Sequence, residues 1–474
     1  MTDTRQLMFA NGIRIVVPDS LELITPYVLQ EQEDWFEDEI KFLRRILKPG
    51  EQAIDIGANY GVYTLSIAGA VGHSGHVWAF EPTTTIAGFL AESIAANRFT
   101  QVSLEKSALS NKTGVAYLSL HAHSELNSLT YDADDTDPRE EVPLVTLDNC
   151  MERFGWRTMD LVKIDAEGEE ANILAGGERF LRELSPLILY EVKAGQTIHL
   201  ELIQAFADRG YASYRLVPGL DLLVPFNPED TRDVPLLNLF CCKPDRAERL
   251  AAQGALVMAD ALKAMRAQRV DLVQKARKRA TYQWRHALCK QPYGDALSEI
   301  WCDFRPAPET AAVTEAIALY AISRDTALPV VERFCALELA CETLDRICRE
   351  RPDYLRQSSL ARMTAELGLR SRAVQLLQTL LDRILRAKQV DLSEPFLPPT
   401  SRFDTLQPGA APGQWALAAT LEAYEQLVHY SSFYTRDTAR ERLVLIRDLG
   451  FGNAEMERRL DLVERRYGPA SDTD

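Results

Sequence analysis

Two short acidic, glycine-bearing runs in this 474-residue chain have the residue types and spacing to do chemistry. The first is Asp55-Ile56-Gly57-Ala58-Asn59-Tyr60-Gly61, which directly follows a short apolar stretch and directly precedes a helical one. Glycines in such a turn let backbone approach a ligand at the carboxyl end of a strand, where open α/β sheets bind nucleotides. About 20 residues further on, the spacing expected of a nucleotide site, the stretch His76 to Phe80 ends in Glu81-Pro82. A carboxylate at that position can accept both hydroxyls of a ribose, so the two features together describe an adenosine half-site.

Charge narrows the ligand. A dinucleotide site would use three glycines in a GxGxxG pattern to set a pyrophosphate on a helix N-terminus, whereas this run reads DxGxNxG and opens on an acid. That favours a cationic ligand without phosphate, and S-adenosylmethionine is one. Asp55 would face its amino-acid portion, the turn from Gly57 to Gly61 would pack beneath it, and Glu81 would hold the ribose.

The second run is Lys163-Ile164-Asp165-Ala166-Glu167-Gly168-Glu169-Glu170, again at the end of an apolar strand-like stretch, Leu161 to Ile164. Clustered carboxylates at a strand end belong to a site more often than to a core. Glu169 and Glu170 also suit a first helical turn, where negative charge meets the helix dipole, and that is the preferred reading of Glu170. Asp165 is placed to accept a proton from a substrate hydroxyl or to hold a metal, and is the first candidate base. Glu191, ending the stretch Leu187 to Tyr190, is the second. His121 and His123 lie in a polar stretch without partner spacing, so solvated histidines are the plainer reading there.

These residues need a sheet to position them, and the chain supplies its pattern. Residues 36–47 carry apolar side chains at helical spacing up to Lys48-Pro49-Gly50. Strand and helix signals then alternate: 52–56, 63–70, 76–80, 85–97, 102–108, 115–120, 161–165, 169–184 and 187–192. Alternation of this kind implies a parallel sheet with helices on its faces. Residues 121–141 carry no period and read as a long exposed loop. Strand-like stretches at 211–217 and 236–242 would complete the sheet.

Beyond Asp245 the strand pattern stops and every legible element is helical: 247–286, 311–322, 331–349, 360–388, 415–429 and 437–449. The longest interruption, 393–413, holds five prolines and two glycines and reads as a loop or hinge. Charge changes at the same place. Residues 1–245 carry 38 acids and 20 bases, a net of −18, against 31 acids and 33 bases afterwards. The expected division is therefore 1–245 for the α/β domain and 246–474 for an all-α domain, with helical repeats as one arrangement of its alanine-rich pairs.

The net charge of −16 argues against a general nucleic-acid binder, and DNA is not an expected partner. The first residues lack a secretory layout and no window reaches the roughly 18 apolar residues of a membrane span, so a cytoplasmic protein without a span is expected. Eight cysteines without a CxxC pair suggest neither a disulfide framework nor a metal site.

The runs DIGANYGVYTLSIA, FEP, ALSNKTG, VPLVTLDN, DLVKIDAEGEEANILAGG and PLILYE, in this order, resemble the FkbM-type family of S-adenosylmethionine-dependent methyltransferases over about residues 40–195. The resemblance implies a Rossmann-like class I fold and methyl transfer to a hydroxyl, in a family associated with polyketides and saccharides. It places cofactor contact on Asp55, Gly57, Asn59, Gly61 and Glu81, puts Ser107 and Ala108 near the adenine, and sets Asp165, Glu167 and Glu169 at the reaction crevice. In one respect the chain departs from the pattern. Lys106-Ser107-Ala108 offers no acid to the adenine.

Two other readings stay open: an interaction protein built on a degenerate methyltransferase domain, and an RNA methyltransferase guided by the basic stretch 263–285. That stretch also reads as the solvated face of a helix. The helical region would engage the substrate or a protein partner.

Overall fold

The computed structural model describes residues 3–10, 12–119, 129–130, 139–166, 168–194, 197–198, 200–227, 238–305, 310–351, 355–435 and 438–468. His121, His123 and Glu167 lie outside them. The chain divides into two compact units, one comprising residues 1–216, 225–231 and 236–253, the other 217–224, 232–235 and 254–474.

The first unit opens with a hairpin, β1 (Thr4–Phe9) and β2 (Ile13–Pro18), followed by helices α1 (Ile24–Gln32) and α2 (Asp38–Ile46). Helix α2 begins on Asp38 and ends on Arg44 and Arg45, charges that suit the two ends of its dipole. Its Ile40, Phe42, Leu43 and Ile46 are buried. Next come β3 (Gln52–Ile56), α3 (Val62–Val71), β4 (His76–Phe80), α4 (Thr84–Asn97) and β5 (Val102–Glu105). A small sheet of β6 (Ala108–Leu109), β7 (Gly114–Ser119), β8 (Leu129–Thr130) and β9 (Arg139–Val145) then interrupts the alternation. Where a long loop was expected over 121–141, residues 129–130 and 139–141 are therefore strand. Pairing of β8 and of β9 with β7 draws them in.

Helix α5 (Leu147–Phe154), β10 (Leu161–Ile164), α6 (Glu170–Ala175), α7 (Glu178–Glu183) and β11 (Leu187–Glu191) resume the α/β pattern. A short pair, β12 (Lys193–Ala194) and β13 (Thr197–Ile198), precedes α8 (Leu200–Asp208), β14 (Ala212–Val217), β15 (Leu222–Pro225) and β16 (Asn238–Cys242). The main sheet runs β15-β14-β16-β11-β10-β3-β4-β5. From β11 to β5 every pairing is parallel, and β16 lies antiparallel to both β11 and β14. A parallel sheet covered on both faces needs largely apolar strands, and β3, β4, β10 and β11 supply them apart from Asp55 and Lys163, which belong to the site. Ile54, Ile56, Trp78, Phe80, Val162, Ile164, Ile188 and Tyr190 share one buried core.

This order fixes where a ligand would go. Strand β3 connects through α3 to β4 on one side while its neighbour β10 connects through α6 and α7 to β11 on the other, and these opposite connections open a crevice at the carboxyl ends of β3 and β10. The two acidic runs of the sequence sit at those two strand ends.

The stretch expected as one helix over 247–286 is three helices: α9 (Pro244–Ala252), α10 (Ala259–Ala267) and α11 (Arg269–Cys289). Gly254, at φ +70°, breaks the first of them. Helix α9 belongs to the first unit, where the buried Arg246 pairs with Asp160 at 3.1 Å. The second unit holds α10, α11, α12 (Pro292–Ala296), α13 (Ala311–Ser323), α14 (Val330–Glu350), α15 (Arg356–Glu366), α16 (Arg370–Ala387), α17 (Pro412–Val428), α18 (Ser432–Thr435), α19 (Thr438–Asp448) and α20 (Ala454–Tyr467). Among the described residues no helix is long and apolar enough to cross a membrane.

The proline-rich segment 393–413 is a loop, as its composition dictates, but it is pinned into the second unit. Glu394 forms a fully buried pair with Arg356 at 2.6 Å. Ser358 and Ser359 bond the carbonyl and amide of Leu397, and Arg362 clasps Asp404 through both guanidinium nitrogens. Phe396 and Phe403 are buried.

Candidate functional site

Strand β3 delivers Asp55 to the crevice floor with no exposed surface. Its Oδ2 accepts a 2.6 Å hydrogen bond from Thr64 on α3, and Oδ1 lies 3.6 Å from Lys163 Nζ. Burial raises its pKa, an effect partly offset by the Lys163 charge and the Thr64 bond. These contacts make Asp55 a residue that positions others.

The turn that follows is built by backbone geometry. Gly57 has φ +74°, and a Cβ there would collide with the Asp165 carbonyl oxygen. The loops leaving β3 and β10 touch at this point, and only glycine permits the approach. Asn59 adopts φ +48°, which asparagine tolerates better than most residues. Its backbone N–H donates to Glu81 Oε2 at 2.9 Å. Gly61, at φ +93°, starts α3.

Glu81, at the end of β4, is only 6% exposed, and its Oε1 accepts from the Thr83 N–H at 2.9 Å. Burial pushes its pKa up, opposed by the amides of Thr83 and Asn59. The glycine turn and the acid some 20 residues away, paired on sequence spacing alone, are thus joined by a direct hydrogen bond. Past β5, Ser107 and Ala108 are buried.

The second run forms an ionic cluster. Lys163 Nζ lies 3.0 Å from Asp165 Oδ2 and 5.0 Å from the centre of the Tyr63 ring. Burial alone would lower the lysine, but the charges of Asp165 and Asp55 outweigh it and hold the ammonium above its ordinary range. The Asp165 side chain keeps 42% exposure, so one face of it is free of its lysine partner.

The N-terminal end of α2 brings two acids that sequence reasoning passed over. Tyr63 donates its hydroxyl hydrogen to Glu37, whose pKa is raised by burial, against that bond. Glu39 is pushed up to about 8, by burial and then by the charge of Glu37. No spacing signal links Glu37 to residues 126 and 128 positions later. Folding alone brings Glu37, Tyr63, Lys163 and Asp165 together.

Of the remaining candidates, Glu169 is buried and accepts from Ser110 and Asn172, while Glu170 accepts from the backbone of Ala166 and Gly168. Both act as framework in these contacts. Glu191 is partly buried at the end of β11, one strand from Asp165.

S-adenosylmethionine can be tested against these residues. Two buried oxygens near the strand ends, Asp55 Oδ1, ion-paired with Lys163, and Ser107 Oγ, have no hydrogen-bond partner among the described residues. The crevice also places three carboxylates (Asp55, Asp165 and Glu37) around one ammonium, an excess of negative charge that suits a cationic ligand. The residues present therefore fit the group.

Comparison with known proteins points the same way. No curated protein matches the chain. Solved structures with a detectable likeness include a precorrin-6y C5,15-methyltransferase from Geobacter metallireducens (13% identity, 43% of this chain and 86% of that one, TM-score 0.26). Others are a SAM-dependent methyltransferase from Aquifex aeolicus (14%, 46% and 92%, TM-score 0.26) and a SAM-dependent O-methyltransferase from Thermotoga maritima (13%, 50% and 77%, TM-score 0.24). At these scores the likenesses bear on neither substrate nor mechanism. The model of the methyltransferase FkbM domain matches residues 55–213, which include both acidic runs and the strands that carry them. About a third of the chain, residues 55–213, is accordingly an FkbM-type methyltransferase domain, one of the S-adenosylmethionine-dependent methyltransferases.

Proposed function

We propose that the chain transfers a methyl group from S-adenosylmethionine to a hydroxyl oxygen of a saccharide or polyketide-like small molecule. The observation that carries this reading is the half-exposed Asp165 carboxylate, steadied by Lys163 at the switch point of the sheet. When bound, the cofactor supplies a methyl group on a positively charged sulfur.

Glu81 has both oxygens anchored by backbone amides and offers its remaining lone pairs to the ribose hydroxyls. The backbone from Gly57 through Asn59 to Gly61 packs beneath the ligand, with Asp55 behind it and Ser107 and Ala108 beside the adenine. Asp165 accepts the acceptor hydroxyl's proton as the oxygen becomes nucleophilic. Lys163 orients that carboxylate, and Glu167 and Glu191 are further acids for the acceptor side.

The basic stretch gives little support to an RNA substrate. Arg266 pairs with Glu338, Arg269 with Glu342, Lys275 with Glu332 and Arg277 with Glu315, so much of its charge is met within the helical unit. The test is mass spectrometry of saccharides and small metabolites from cells carrying the wild-type or the Asp165→Ala chain. One species lighter by a single CH₂ in the variant supports the reading. Identical profiles, with both proteins present at equal levels, contradict it.

A further inference from the structure

The second unit contains a cavity of about 1000 Å³ that plays no part in methyl transfer as proposed above. Helices α11, α13 and α15 line it, together with the Pro218-Gly219 turn and part of the pinned proline-rich loop. Its volume is at the upper end of small-molecule pockets, about 300–1,000 Å³.

Its two sides differ in chemistry. One is apolar and aromatic, with Ile317, Ala318, Tyr320 and Leu397. The acids on that side are already neutralised. Arg362 holds Asp404 at 2.6 and 2.7 Å, and Glu366 is met by Arg324, by Arg362 and by the Tyr320 hydroxyl. The other side belongs to α11 and its C-terminal end. Arg279, His286 and Lys290 recur at intervals of seven and four residues, a spacing that puts them on one helix face, and all three line the cavity.

Among the described residues, none is hydrogen-bonded to or ion-paired with Arg279, His286 or Lys290. Lys275 and Arg277 on the same helix are taken up by acids of α14 and α13. The one other acid of the lining, Asp325, accepts from the Ala327 amide. Beyond the paired groups, the lining thus carries two full cations and an imidazole against one carboxylate.

We propose that this cavity binds an organic phosphate. The phosphate sits on His286 and Lys290, one helical turn apart, which supply a ring N–H donor and a point charge, while Arg279, about 10 Å further back along α11, adds positive charge to the same face. The organic portion packs against Tyr320, Ile317 and Ala318. The site is independent of the methyl-transfer reading, and its failure would leave that reading untouched.

The experiment is isothermal titration of the full chain with 2-naphthyl phosphate, with 2-naphthol and inorganic phosphate as the probes lacking one half of the recognition. Saturable binding of 2-naphthyl phosphate at one site is expected, with each half-probe at least about tenfold weaker. Arg279→Glu combined with Lys290→Glu, both at the solvent side of the cavity, should weaken binding by about tenfold or more. Ala321→Phe should abolish it by filling the chamber. Equal affinity in the charge-reversed variant, equal binding of 2-naphthol, or no saturable binding of 2-naphthyl phosphate up to millimolar concentration would each overturn the proposal.

Discussion

In the proposed reaction the base is Asp165, a carboxylate whose lysine partner is buried while its own side chain stays open. Replacing it with asparagine keeps the shape and removes the base, so methyl transfer should fall by about 10²- to 10⁴-fold. The affinity for S-adenosylhomocysteine, measured by calorimetry, should change little. A variant that loses both together would place Asp165 in cofactor binding instead. Lys163 belongs to the same cluster but acts through others. Lys163→Met leaves Asp55 buried without its counter-charge, a situation that costs about 3–5 kcal/mol, and chemical denaturation should show that loss. Glu39 gives the site a pH signature. Its folded pKa of about 8 lies above the ordinary 4.5, so the native state keeps a proton that the unfolded chain has released between those values. Stability should therefore decline as pH rises through that window and level off above about 8. Thermal melts of Glu39→Gln should lack that part of the decline, and an unchanged pH profile would contradict the assignment.

At the scale of elements, the glycine turn after β3 is the joint between the two acidic runs. Gly57→Ala adds a side chain at positive φ and against the Asp165 carbonyl, and the strain alone should cost about 1–3 kcal/mol. Full stability in that variant would show the close approach to be wrong. Strands β3, β4, β10 and β11 were legible because each is a short, mostly apolar run that ends in, or is followed by, an acid or a glycine. Their parallel pairing followed from the alternation with helices. The hairpin β1–β2 was overlooked although Asn11-Gly12 between alternating apolar residues is a hairpin signal. Glu37 and Tyr63 were illegible for a different reason. Their roles come from tertiary contact between α3 and the segment before α2, and neither carries a local pattern. The helices beyond residue 254 showed their apolar periods, but Gly254 and the short turn after α10 divided one expected helix into three.

At the scale of the whole molecule, each of the two units carries a core of its own, and the charge asymmetry of the sequence follows from what each must hold. The first concentrates acids at strand ends, while the second spends its bases on interhelical pairs and on one side of a cavity. The central claim is that the first unit binds S-adenosylmethionine through the turn of β3 and the acid of β4. Isothermal titration of the full chain with S-adenosylmethionine tests it most directly, set beside Glu81→Ala. The account predicts one saturable site in the wild type and affinity lower by about tenfold or more in the variant. No heat of binding at high protein concentration, or equal affinity in both proteins, would contradict it.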